Sequence, residues 1–463
     1  MGASILVSAI SAAFGVILVS ATGYLGAMLR ADPYIGDSAT LAFVLGFLTW
    51  VLVGLAVYVA AIVTANTFAT VVAGRTPRIA LLRLIGASAQ SQRAEVARQG
   101  LIVGAIGAGV GLVAGVAASF VGIAAIAPAT GTTGLAYTVV RPALLLPAAI
   151  VALTTWAAAW AGSRRVLAVT PLQAVGSSAE PSREQIGSRR VRHGFAVALF
   201  AAGTVLLAGG VLLGLLTPLG VVVAFAGGLV SFTGIVLGAA LVMPPLLRLA
   251  GRLFGRSAVA RLAAENALRH PERSSRMAIG VVVGVTLVTM FAVAMQSAKA
   301  VLAAAAGGTL PAEMSATLDG FAGVMMALVA VSGVIAAVGL VNLLTLGVVQ
   351  RRRELGLLRA LGLSTGQVRR IVLLEAAHLT ITSVITGVVL GVAYGWAGAQ
   401  STLGAVAVKL SAEAAPRAGL VWPAVPLPII AVIVAATAVL TLVAAVVPTR
   451  LATRVTPVAA LAA

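Results

Sequence analysis

Ten apolar stretches of roughly 20 residues or more divide the chain, at about 5–29, 40–65, 97–127, 141–162, 194–216, 219–247, 277–298, 319–347, 371–400 and 424–448. A helix crossing the ~30 Å hydrocarbon core of a bilayer needs ~20 apolar residues. Backbone N–H and C=O groups find no partner in lipid, so each stretch must satisfy its own by forming a helix. A membrane β-barrel would show short alternating segments instead. With 60% hydrophobic and only 9% charged residues, a water-soluble fold has too little polar surface to cover its core. The expected fold class is all-α and polytopic. The opening stretch MGASILVSAI has no basic flank, and its apolar run is long for a leader, so it reads as a first span. The chain has no cysteine, which removes disulfides, thiolate metal sites and cysteine nucleophiles.

Charge orients the spans. With the N-terminus inside, the alternate segments between spans hold 26 of the 31 basic residues, in clusters such as Arg164, Arg165, Arg183, Arg189, Arg190 and Arg192. The outside keeps Arg30, Arg141, Lys299, Lys409 and Arg417, balanced by Asp32, Asp37, Glu313, Asp319 and Glu413. This positive-inside bias places both termini in the cytoplasm. The net charge of +19 then lies on the inner face, where it meets anionic headgroups or an acidic partner. Topology accounts for that charge without nucleic acid. Few ionisable groups reach mid-span, whereas ion-coupled secondary carriers use such groups as relays.

The chain repeats itself. Shifted by 276 residues, "NTFATVVAGRTPRIALLRLIGASAQSQRAEVARQG" (66–100) aligns without gaps on "NLLTLGVVQRRRELGLLRALGLSTGQVRRIVLLEA" (342–376), with ten of 35 positions identical. The identities include Asn66/Asn342, Arg75/Arg351, Arg83/Arg359, Gly86/Gly362, Ser88/Ser364 and Arg93/Arg369. Apolar composition alone does not match Asn, Arg, Gly and Ser in one register. A second echo, "AVTPLQAV" (168–175) against "RVTPVAAL" (454–461), closes each unit. The expected organisation is a four-span unit at 1–176, a linker with an extra helical pair at 177–250, and a second four-span unit at 251–463. Two four-span units joined by a helical pair are parallel repeats, unlike the inverted repeats of many carriers.

In the repeated stretch, Ile79, Leu82 and Ile85 match Leu355, Leu358 and Leu361. Spacing of three places each trio on one stripe of a short helix. Glu354 stands one turn from Arg351 and can pair with it. Gly86 and Gly362 then supply a left-handed helix stop. Ser88 and Ser364 are candidate caps of the next helix, and Ser364 with Gln367 fits a capping box. The prediction is a short amphipathic cytoplasmic helix, a sharp turn and a new span, twice. Such elements suit docking into a groove of a two-fold partner.

These residues resemble the FtsX/MacB-like permeases, the membrane subunits of type VII ABC transporters. That family's pattern is approximately R-x-x-E-[IL]-[AG]-[LI]-[LM]-[RK]-[AT]-[LM]-G-[AM]-[ST]. "RRRELGLLRALGLS" (351–364) fits it nearly throughout; "RTPRIALLRLIGAS" (75–88) fits it less fully, with Arg78 where the acid would stand. Pro171–Val175 and Pro457–Leu461 resemble the family's closing motif, and Ala263–Arg269 the helix before its first span. The large extracytoplasmic domain usual after a unit's first span has no counterpart at 30–39 or 300–318.

The resemblance implies that each repeated element is a coupling helix. Arg351, Glu354, Leu355, Leu358, Arg359 and Gly362 would contact one copy of a cytoplasmic ABC ATPase subunit. Arg75, Ile79, Leu82, Arg83 and Gly86 would contact a second copy. The only lysines, Lys299 and Lys409, stand in no GxxxxGK[ST] setting. ATP and Mg are therefore expected on the partner subunit and no cofactor in this chain. Expected function is export, or extraction from the outer leaflet, of an apolar or amphiphilic molecule such as a lipid, peptide or antibiotic, in a bacterial plasma membrane. The alternatives are force transmission to an extracytoplasmic partner without transport, and a secondary carrier.

Smaller features read structurally. Glu375 and His378 share a helix face, but Gln99 and Ile102 replace them in the first unit, so they read as an interfacial polar pair and no metal is expected. His193 and His270 read as solvated. Asn66 and Asn342 suit interhelical hydrogen bonds. Pro244-Pro245 should kink or end the sixth span, and 176–188 should be loop.

Overall fold

The computed structural model describes residues 2–30, 85–129, 137–163, 190–252, 258–269, 271–305, 359–414 and 419–453, with scattered positions elsewhere. Every long element among them is an α-helix, and the protein is an all-α polytopic membrane protein. Seven described helices are long and apolar enough to cross a bilayer, joined by shorter apolar helices at 239–251 and 427–442. Of the predicted spans at 40–65 and 319–347 only scattered positions are described, 54, 58, 61 and 62 in one and 319, 322, 323 and 326 in the other, all of them helical.

The chain divides into two compact units, Met1–Ser178 and Ala179–Ala463. In the first, α1 (Gly2–Arg30), α2 (Ala89–Ala129) and α3 (Leu145–Gly162) pack against one another. A short 3₁₀ turn, Pro142–Leu144, leads into α3. Arg141 before it is extended, as a residue ahead of proline prefers, and Pro142 brings a φ already suited to a helix start. Tyr137 donates its hydroxyl to the Ser20 carbonyl at 2.7 Å, tying this segment to α1.

The second unit contains α4 (Arg190–Leu213), α5 (Gly220–Leu237), α6 (Ala239–Gly251), α7 (Ala258–Arg269), α8 (Pro271–Ala305), α9 (Thr365–Ala414) and α10 (Leu427–Thr453). The pair α4–α5 is an antiparallel hairpin whose outer face carries Phe195, Val197, Phe200, Val205 and Leu212, all exposed and suited to acyl chains. It joins the unit through Ser231 and Tyr394, whose hydroxyls lie 2.8 Å apart, and through the edge-to-face stack of Phe232 on Tyr394. The extra helical pair thus packs within the second unit.

Three details differ from the sequence expectation. The sixth apolar stretch is interrupted at Gly238 (φ −86°, ψ 9°), not ended at the prolines. Pro244 and Pro245 lie inside α6, past its first turn, where each removes one i→i−4 bond of the ladder. The segment after residue 400, expected as a connection, continues α9 as helix to Ala414. Gln400 then clamps the returning chain: its amide donates to Gly419 O at 2.9 Å and accepts from Val421 N at 2.6 Å.

Candidate functional site

The two repeated turns share one local geometry. Gly86 has φ +101° and Gly362 φ +99°, a left-handed conformation that a Cβ disfavours by roughly 1–2 kcal/mol. In the first copy the Ala87 amide reaches back to Leu82 O at 2.9 Å. In the second, the Gly362 amide reaches Arg359 O at 3.1 Å. These are the outer and inner bonds of a Schellman stop, in which orphan carbonyls of a helix end are satisfied. The sequence signal for this was the glycine at a matched position.

The caps follow. Ser364 Oγ accepts from the Gln367 amide at 3.2 Å while Gln367 Oε1 accepts from the Ser364 amide at 2.9 Å, a complete capping box. Ser88 Oγ accepts from the Ser91 amide at 3.0 Å, an N-cap without the reciprocal half. Each cap opens a helix, α2 or α9, that runs unbroken into a span.

The surface at the turns is apolar. Ile85 is 81% exposed and Leu361 77%, and Leu81 and Leu357, one turn earlier, are also exposed. Leu82 and Arg359 are half-buried. The outward stripe at the described end of each short helix is therefore 81/85 and 357/361, an i, i+4 pair. Spacing of three had pointed to Ile79, Leu82 and Ile85 and to Leu355, Leu358 and Leu361, stripes that share Ile85 and Leu361 with the exposed pairs. Leu81 and Leu357 are identical in the repeat, but so are Leu82 and Leu358, so identity did not choose between the two faces. Arg75, Ile79, Arg83, Arg351, Glu354, Leu355 and Leu358 lie outside the described residues, as do Asn66, Asn342 and His270. The copies differ at the next turn. Arg93 lies over the Trp160 ring, 4.2 Å from its centroid, a cation–π contact joining α2 to α3, whereas the matched Arg369 is exposed.

Behind each turn, the register of the repeat extends into packing. A Cβ on Gly115 would stand 2.8 Å from Ala13 O; one on Gly391, its match, would stand 2.5 Å from the Thr289 Cβ and 2.9 Å from Thr286 O. Gly111 and Gly387 approach α1 and α8 similarly, against Ala9 and the matched Val285. The first and third spans of both units thus meet backbone to backbone at equivalent places, as small residues permit in membranes. The fourth spans match at a different offset. Thr155 bonds Ser8 at 3.2 Å, and Thr441 bonds Thr380 at 2.9 Å. The offset of 286 that relates Thr155 to Thr441 is the one relating the closing motifs, so the second unit carries its extra residues between its third and fourth spans.

Glu375 and His378 lie one turn apart on α9, with Glu375 half-buried. His378 is buried, 1% exposed, and its Nε2 lies 2.7 Å from Leu247 O on α6. A carbonyl only accepts, so Nε2 carries the proton. No third His, Asp, Glu or Cys joins them in a metal-binding group among the described residues. His193, expected in solvent, is half-buried on α4.

A model of the FtsX-like permease C-terminal domain matches twice, over residues 50–171 and 325–457, more than half of the chain. The chain belongs to the FtsX-like permease family. Both matches include the turn, the glycine seam helix and the span after it, and they leave α4 and α5 of this FtsX-like permease outside. Membership places the chain among ABC-transporter permeases. It is also similar to the ABC transporter permease YtrF of Bacillus subtilis (strain 168), 35% identical over 63 residues, or 13% of this chain and 14% of that one. The similarity spans a small part of that relative's length.

Proposed function

We propose that this FtsX-like permease is driven by a separate cytoplasmic ABC ATPase, two copies per chain, one at each capped turn. ATP and Mg are held by that partner. The cycle exports an apolar or amphiphilic molecule such as a lipid, peptide or antibiotic, or draws it from the outer leaflet, in a bacterial plasma membrane with both chain termini cytoplasmic. The observation that carries the reading is the duplicated device: a glycine-stopped helix end with an exposed Ile85 or Leu361, followed by a serine-capped helix continuous with a span. Exposed isoleucine and leucine beside arginine clusters suit a partner groove better than water or headgroups. The rigid helix behind them suits transmission of motion. Short outer segments leave little to push against an external partner, which favours transport over force transmission.

The test is purification of the tagged chain from its native membrane in mild detergent, with mass spectrometry, alongside Ile85→Glu and Leu361→Glu. The expected result is a co-purifying ATPase at two per chain, reduced to one by either substitution. A buried apolar anchor is worth ~2 kcal/mol or more, so each capture should weaken at least ~30-fold. Absence of any ATPase from the unsubstituted preparation would sink the reading.

A further inference from the structure

Helix α8 carries hydroxyls that its own backbone does not satisfy. Serine and threonine within a helix usually donate to the carbonyl one turn back, and this chain follows that habit: Thr22 to Leu18 O, Ser119 to Gly115 O, Ser383 to Leu379 O, Thr386 to Thr382 O and Thr437 to Ile433 O, all at 2.7–2.8 Å. Ser275, Thr286 and Thr289 do not, and neither does Ser20 on α1. Each is at most 1% exposed, and none of their hydroxyl oxygens has a hydrogen-bond partner among the described residues. The three rotamers on α8 are turned off the helix's own carbonyls, and a buried hydroxyl without a partner is destabilising.

The three share one face. At 3.6 residues per turn, eleven residues make about three turns, so Thr286 lies above Ser275 and Thr289 follows one turn later, within roughly 60° of arc. Ser297 continues the row; its Oγ accepts from the Ala424 amide at 3.0 Å. The row runs beside the seam with α9. Gly391 meets the Cβ and methyl of Thr289, so that hydroxyl is not the part of Thr289 nearest the seam.

We propose that Ser275, Thr286 and Thr289 line a ligand path along α8 that is closed in this conformation and opens when the packing around α8 shifts. The ligand chemistry follows from neutral hydroxyls in a row without charge: the amide, hydroxyl or carbonyl groups of an amphiphile, with water as the filler between turnovers. The ligand class rests on the permease reading above, whereas the opening of the row does not involve the ATPase.

The chain lacks cysteine, so single thiols report accessibility directly. Thr286→Cys and Thr289→Cys are labelled in native membranes with a water-soluble maleimide. Val283→Cys, at a fully buried position, and Ala300→Cys, at an exposed one, bracket them. The expected result is labelling at least tenfold faster than Val283→Cys and slower than Ala300→Cys. A second measurement uses the near-isosteric Thr286→Val/Thr289→Val pair, which should raise Tm by about 2–4 °C or more by removing the unsatisfied groups. Labelling no faster than at position 283 overturns the proposal, whatever Tm does; a raised Tm alone would mark the hydroxyls as a packing cost. Labelling that stands while no ATPase co-purifies would keep the path and reject the coupling reading.

Discussion

Two alanines, two residues apart on the same helix, should have opposite effects. Gly111 faces α1, and a Cβ there would overlap Ala9 O and stand 2.7 Å from Ala12 Cβ and 2.9 Å from Ala13 N. Comfortable carbon contacts begin near ~3.5 Å, so α1 and α2 must part by about 1 Å. A gap of that size forfeits roughly a quarter to a half of each dispersion contact along the seam, and overpacking of this kind costs about 1–3 kcal/mol. Gly109 has nothing within 4 Å of its would-be Cβ. Gly109→Ala should therefore show only the helix-propensity gain, up to ~1 kcal/mol. The assay is thermal unfolding in one detergent at one protein concentration. At about 2–4 °C per kcal/mol, Gly111→Ala should lose roughly 2–12 °C and Gly109→Ala should hold or gain slightly. If the two variants shift Tm in the same direction by similar amounts, the first and third spans of the first unit do not meet backbone to backbone at residue 111.

Two further outcomes follow from the caps and the cross-helix bonds. Ser364→Ala removes the Oγ half of the capping box and keeps the residue-364 N–H that donates to Gln367 Oε1, and it should cost ~1 kcal/mol locally; amide exchange in the first turn of α9 should quicken about fivefold, and Ser88→Ala, which also removes one Oγ acceptor, should quicken the first turn of α2 by a similar factor. Thr441 donates to Thr437 O, so it receives the Thr380 hydroxyl proton; Thr441→Val should destabilise by about 0.5–1.7 kcal/mol. Adding Thr380→Val should restore most of that, and a strictly additive double mutant would show that the 2.9 Å contact carries no coupling.

How much was legible depended on the range of the interaction involved. Gly86, Gly362, Ser88, Ser364 and Gln367 act on groups within a few residues of themselves, so their roles could be read in order along the chain. Their geometry agrees with that reading down to the reciprocal bonds of the capping box. The apolar stripe was harder. Leu82 and Leu81 lie on adjacent faces of one helix, and only the direction in which that helix leaves the turn decides which faces outward. His378 shows the same limit. Its neighbour Glu375 was visible in the sequence, but its hydrogen-bond acceptor, Leu247 O, comes from a helix 131 residues away.

Length and hydropathy alone determined that this protein is a set of membrane helices, because lipid offers no partner for a bare backbone and leaves the helix as the available answer. The gapless register between residues 66–100 and 342–376 determined that there are two copies of one capped turn. The tertiary structure decided what those copies are anchored to. It set Gly115 and Gly391 against the first span of their own unit, placed the extra hairpin against Tyr394, and turned the hydroxyls of Thr286 and Thr289 away from their own carbonyls. Those choices depend on which faces of distant helices meet, and a helix of alanine, glycine and valine carries too little pattern around its circumference to say so in advance.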